Sequence, residues 1–171
     1  MKKVFTLALV VAMTLCVSAT FAQKMGSIHF QTIVMAMPET KVMQTNLENF
    51  RKELSDNLET MQVEFNTKFA EYQKSSATMT EAIRGMKEKE LQDLQSRMQQ
   101  FEQNAMQEMQ KKQNELMTPI IKKAKDTVEE VAKAGSYTVV YDMSAGTIVY
   151  VDSATVTDLA PAVKAKLGIQ E

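Results

Sequence analysis

The chain has 171 residues, 20 basic against 21 acidic, with one Cys, one His and no Trp. That length suits one domain, and the even charge excludes the basic face that nucleic-acid binding requires. A lone Cys and a lone His leave no metal-ligand cluster and no nucleophile–base pair, and no Gly-rich phosphate loop is present, so the sequence reads as non-enzymatic and cofactor-free.

At the N-terminus Lys2-Lys3 precede the apolar run "VFTLALVVAMTLCV" and then small residues, "SATFAQ". This pattern predicts an export signal over residues 1–22, cleaved after Ala22, with Ala19 as the second choice. The run is too short to span a bilayer, and nothing later could span, so no stable membrane insertion is expected. Cys16 follows the large Leu15, where lipid-attachment signals take a small residue, so the thiol leaves with the signal. The remaining chain keeps 18 basic and 21 acidic residues and no Cys, so packing alone must stabilise it.

The segment "SIHFQ", around Ile28–Gln31, reads as a strand. Residues 39–118 contain no Pro and one Gly, Gly85, and are rich in Glu, Gln, Lys, Met and Leu, which predicts helix almost throughout. Apolar residues recur at Met43, Leu47, Phe50, Leu54, Leu58, Met61, Phe65, Phe69 and Tyr72, an eleven-residue repeat of about 3.67 residues per turn. Leu94, Met98 and Phe101 carry the stripe on the second half, and it thins where Lys112 takes an apolar slot. A stripe this narrow suits one partner helix. The polar run Lys74–Thr78 therefore marks a reversal near 75–80, setting Glu39 opposite Leu116 in a hairpin about 54 Å long. Its seam is Leu47, Leu54, Leu58, Met61, Phe65, Phe69, Leu94, Met98 and Phe101. A single long rod dimerising in parallel is the lesser reading.

Pro119 marks a kink or a new helix start, and that helix ends at Ala134 with Gly135 as its cap. "YTVVYD" (Tyr137–Asp142) and "TIVYVD" (Thr147–Asp152) read as two strands of a hairpin turning through Met143–Gly146. A last helix follows Thr157 or Asp158, with Pro161 in its first turn and Leu159, Val163 and Leu167 apolar. Both later strands are apolar on two faces, more than one protomer covers. The fold class is therefore α+β: a long antiparallel helical hairpin (39–118) projecting from a small β-sheet body (23–38 and 119–171) that oligomerisation completes. Its shared core is Ile28, Phe30, Val139, Val140, Tyr141, Ile148, Val149 and Tyr150.

The order "GSIHF", "TIVMAMPE", a long polar helical hairpin, "PIIKKAKDTVEEVAKAGSYTVVYD", a further strand and "TDLAPAVKAKL" resembles the Skp/OmpH family of periplasmic chaperones. The resemblance covers the whole chain after residue 22 and is most specific from Pro119 to Asp142. It implies a periplasmic homotrimer whose arms enclose a cavity, where unfolded outer-membrane (β-barrel) proteins are held without ATP. Residues 39–118 carry 11 basic and 14 acidic residues, unlike the basic arms of that family, which weighs against an anionic-lipid or lipopolysaccharide contact. Holding many unrelated apolar segments suits unbranched, polarisable methionine. Met79, Met86 and Met106 are the candidate client contacts, whereas Met98 and Met109 keep the eleven-residue step and read as seam. A structural coiled-coil spacer or adaptor of the cell envelope is the alternative.

Overall fold

The computed structural model describes residues 23–169. The export signal, its cleavage site and Cys16 lie outside the described residues. In chain order the elements are β1 (Met25–Ile28), α1 (Phe30–Ala36), α2 (Pro38–Ser75), α3 (Glu81–Ala134), β2 (Val139–Asp142), a 3₁₀ turn (Met143–Ala145), β3 (Val156–Asp158) and α4 (Ala160–Leu167).

Helix α2 runs 38 residues from Pro38, whose fixed φ and missing N–H suit a first helical position. It ends at Ser75, where hydroxyls add to the backbone bonds of the last turn: Ser75 Oγ donates to Glu71 O (2.6 Å) and Thr78 Oγ1 to Ser75 O (2.9 Å), which also accepts from Thr78 N (3.0 Å). After the reversal Thr80 caps α3, its side chain accepting from the Ile83 N–H (3.4 Å). Helix α3 then runs 54 residues and passes through Pro119 without restarting. A mid-helix proline costs about 3 kcal/mol or more. Here the apolar stripe continues beyond it into Ile120 and Ala124, both buried, so packing offsets that cost.

The hairpin register also differs from the sequence reading. Glu39 lies against Lys123, seven residues beyond Leu116, and the two form an ion pair. The hairpin therefore closes past Pro119, inside the body.

The sheet is parallel throughout, ordered β2-β1-β3, with Met25 beside Val139 on one side and Val156 on the other. The expected β-hairpin of 137–142 with 147–152 does not form. The 3₁₀ turn ends at Gly146 in the left-handed region (φ 66°), and residues 147–151 run outside the sheet. β2 and β3 each pair with β1 alone, and this segment has no partner strand among the described residues. Asp152 then redirects the backbone, its carbonyl accepting from Val156 N (3.0 Å) and its carboxylate from Ala154 N (3.0 Å), and β3 follows. Thr157 and Asp158 belong to that strand. The N-cap of α4 is Leu159 rather than Thr157 or Asp158, and Asp158, one residue before it, accepts from the Ala160 N–H (2.9 Å).

The first strand stops at Ile28, and Phe30 opens α1 instead of ending a strand. The free N–H groups of α1 find acceptors far along the chain. Phe30 N donates to Asp142 Oδ1 (3.2 Å) and Gln31 N to Ser144 Oγ (3.0 Å). Burial pushes the Asp142 carboxyl up, but the N–H donors of Ser144 and Phe30 outweigh it and hold the group below its ordinary range.

The core gathers Ile28, Ile33, Val34, Met37, Met43, Ile120, Ala124, Leu159, Val163 and Leu167, with Phe30 and Val140 packed at its margin. Of the residues expected in a shared sheet core, Val139 is 38% exposed, Val149 98% and Tyr150 80%, while Tyr141 and Ile148 are half-buried. Within one chain the core is helix on sheet, and the apolar residues of 147–151 are not part of it.

Gly135 caps α3 without a left-handed backbone (φ −87°); Ser136 takes the positive φ (56°). Glycine serves close approach instead, because a Cβ there would lie 2.4 Å from the Tyr137 ring. Lys24 covers the other side of that ring, 4.2 Å from its centroid, and bonds Gly135 O at 3.0 Å. Gly85 is the opposite case: a Cβ would meet nothing within 4 Å. Gly85→Ala should therefore stabilise the protein by about 0.5–1 kcal/mol. Gly135→Ala should destabilise it by at least ~1 kcal/mol through overpacking, both read as shifts of the urea midpoint.

Candidate functional site

The arm formed by α2 and the first part of α3 is held by a single seam. Leu47, Leu54, Leu58, Met61, Phe65, Met98 and Phe101 are half-buried, Leu94 is buried, and Phe69 is 41% exposed. Phe65 and Phe69 stack with centroids 5.9 Å apart. Lys112, which interrupts the stripe, places its ammonium 5.9 Å from the Phe50 ring centroid, an attraction of about 0.5–1 kcal/mol that fills the slot without an apolar side chain.

Because two helices cover only one stripe of each other, the remaining faces stay open. Met86 (73%) and Met106 (76%) point away from the seam, Met79 is half-buried at the reversal, and Met98 and Met109 are half-buried on the seam. Met106 lines an open groove of about 1200 Å³ whose floor is Leu47, Leu54, Leu58 and Phe101 and whose rim carries Glu48, Arg51 and Glu102. Met86 lines a smaller groove, about 340 Å³, among Glu64, Lys68, Glu90 and Arg97. Such surfaces offer apolar contact with charged edges and no pocket that dictates one ligand shape. Among the described residues no three His, Cys, Asp or Glu side chains converge to hold a metal ion. His29 is exposed between β1 and α1.

The distal end carries a clasp that sequence reading missed. Tyr72 Oη donates to Glu88 Oε1 (2.5 Å), Lys68 Nζ to Glu90 Oε1 (2.5 Å), Lys87 Nζ to Glu90 Oε2 (3.3 Å) and Arg84 Nη2 to Ser76 O (3.3 Å). Lys68 and Glu90 lie 22 positions apart, so their pairing is legible only once the register of the reversal is known. The hydrogen bond to Glu88 pushes the Tyr72 hydroxyl up. The hydrogen bonds from Lys68 and Lys87 hold Glu90 below its ordinary range, and Glu90 pushes Lys68 up.

A long antiparallel hairpin, open on its outer faces and rooted in a small parallel sheet, defines a projecting-arm α+β protein. The chain belongs to the OmpH-like outer membrane protein family, whose model matches residues 24–167. Six chains of known structure match it. One, from Caulobacter crescentus CB15 and provisionally described as an OmpH-like outer membrane chaperone, aligns with a TM-score of 0.74 over 84% of this chain and 83% of its own, at 14% identity. At that identity the likeness is one of fold. No curated protein matches the chain.

A carboxylate whose folded pKa is depressed contributes stability above its unfolded pKa and loses it as pH falls through the folded value. Glu90 should therefore hold the clasp at neutral pH and release it only below the ordinary carboxylate range. Amide-exchange protection at residues 68–90 should persist through the ordinary carboxylate range in the wild type and drop as the pH falls below it. In Glu90→Gln it should already be low at pH 5 and change little.

Proposed function

We propose that the protein is an ATP-independent periplasmic holdase that keeps unfolded outer-membrane β-barrel proteins soluble between its helical arms. Membership of the OmpH-like family and the shared fold support a chaperone role. The observation that carries the reading furthest is the open, apolar-floored groove beneath Met106, midway along an arm that buries little else. A client segment laid there removes apolar surface from water at about 25 cal/mol per Å², enough to hold it and too shapeless to select it. Met79, Met86 and Met106 are the contacts in this reading. The eight glutamines between Gln92 and Gln113 keep the second arm hydrated and uncharged.

In this reading residues 23–38 and 119–171 form the assembling body, and residues 39–118 the arm with its tip near 75–80. Residues 1–22 are a signal that delivers the chain to the periplasm. Assembly is a homotrimer. The support for pooling is that Ile148–Val151 lie outside the sheet of the single chain, with Val149 98% exposed. An apolar, β-branched segment left without a partner strand is a ready edge for another copy. The net charge of −3 across the arm makes capture by apolar contact dominant, so holding should depend weakly on salt.

Three outcomes test this. Near-stoichiometric protein should suppress aggregation of a β-barrel membrane protein diluted from urea; no suppression would favour an envelope spacer. Replacing Met79, Met86 and Met106 together with Gln should weaken retention several-fold with the circular dichroism unchanged, and unchanged retention removes them as contacts. Light scattering should give about three chains per particle for the mature protein, and Val149→Asp with Tyr150→Asp should give monomers at micromolar concentration.

A further inference from the structure

The sulfur chemistry of residues 23–169 is entirely that of thioethers: twelve methionines and no cysteine. The fold grades the methionines from buried to open, with most of them half-buried. Met37 is fully buried and Met43 is 6% exposed, both in the body core, whereas Met35, Met86 and Met106 are 52%, 73% and 76% exposed. Met86 and Met106 both lie on α3 and each lines one of the arm grooves. The groove beneath Met106 is floored by Leu47, Leu54, Leu58 and Phe101, with the half-buried Met109 beside them. Leucine at the outward positions would give similar apolar area and equal helix propensity. What methionine adds there, besides an unbranched and adaptable shape, is an accessible lone pair on sulfur.

We infer that Met86 and Met106 are sites of reversible sulfoxidation, and that their oxidation by a peroxide-class two-electron oxidant lowers client holding without unfolding the protein. This rests on the holdase reading above. In the step the thioether sulfur attacks one peroxide oxygen, the O–O bond breaks, and a sulfur–oxygen bond forms. Sulfur loses two electrons, and the peroxide is reduced to water. The reverse step takes two thiols of a sulfoxide reductase to a disulfide and releases the oxygen as water. The product replaces an apolar thioether by a strongly polar sulfoxide at the groove surface. Neither side chain packs in the core, so the helix that carries it stands unchanged. Oxidation of Met37 would instead place a polar group in the core, and its burial withholds the sulfur from the oxidant.

The experiment treats the mature protein with hydrogen peroxide and follows each methionine by peptide mass spectrometry. Met86 and Met106 should oxidise on the order of tenfold faster than Met37 and Met43, as exposure dictates. Helix content should stay constant while retention of a urea-denatured β-barrel protein falls roughly three- to tenfold, as lost apolar contact requires. Methionine sulfoxide reductase should restore it. The variant Met86→Leu with Met106→Leu, compared with its own untreated level of holding, should keep that level after peroxide, although Met35 still oxidises. Equal oxidation rates at buried and exposed sites, unchanged retention after full conversion, or a loss that persists in the double leucine variant each overturn the inference. Failure of the untreated protein to hold any client overturns the holdase reading instead, and the claimed effect on holding with it.

Discussion

The arm depends on one constraint. A narrow apolar stripe cannot be left in water, and the only surface long enough to cover it is the same stripe on the returning chain. Each half-buried seam residue is worth a fraction of the about 1.5–3 kcal/mol of full burial, so no single contact holds the hairpin. Its stability is distributed along its length, with the clasp at one end and the Glu39–Lys123 pair at the other. These ion pairs are exposed and contribute little energy individually. They fix which turn of α2 meets which turn of α3.

The same constraint explains why the arm has surfaces to offer. Two helices paired along one stripe leave most of each cylinder exposed, and evenly spaced polar residues keep it soluble. Where an outward position is apolar, as at Met86 and Met106, nothing among the described residues covers it. A globular domain would bury such side chains; a hairpin has nowhere to put them. Open apolar positions on a stable arm are therefore a by-product of its architecture that binding can use.

The arm was legible in the sequence because its signal is local and repeated. The eleven-residue step is visible in any window of it, and Ser75–Thr78 breaks the step. The register was less legible: a turn of several residues shifts the pairing of every later position, and cross-helix pairs such as Glu39–Lys123, Tyr72–Glu88 and Lys68–Glu90 fix it. The body was hardest to read. Val139–Asp142 and Thr147–Val151 have the same apolar, β-branched composition, yet one joins the sheet and the other does not. The strand that completes the sheet is instead β3, which pairs with β1 more than a hundred positions earlier, a long-range arrangement that no window of sequence displays. Asp142 and Ser144 look like turn residues, and that is half their role. The other half, closing the N-terminus of α1 more than a hundred positions earlier, belongs to the folded topology.

The eleven-residue period also sets how this arm can change in length. Three turns in eleven residues return the backbone almost to its starting azimuth, at about 16 Å of rise. Removing one such block from both α2 and α3 would shorten the reach while every remaining side chain kept its bearing toward or away from the partner helix. Deleting a single residue from one helix would instead swing everything beyond it by about 100°. It would turn leucines outward and methionines inward. Reach and facing are coupled, and the arm grows or shrinks cleanly only in steps of that size.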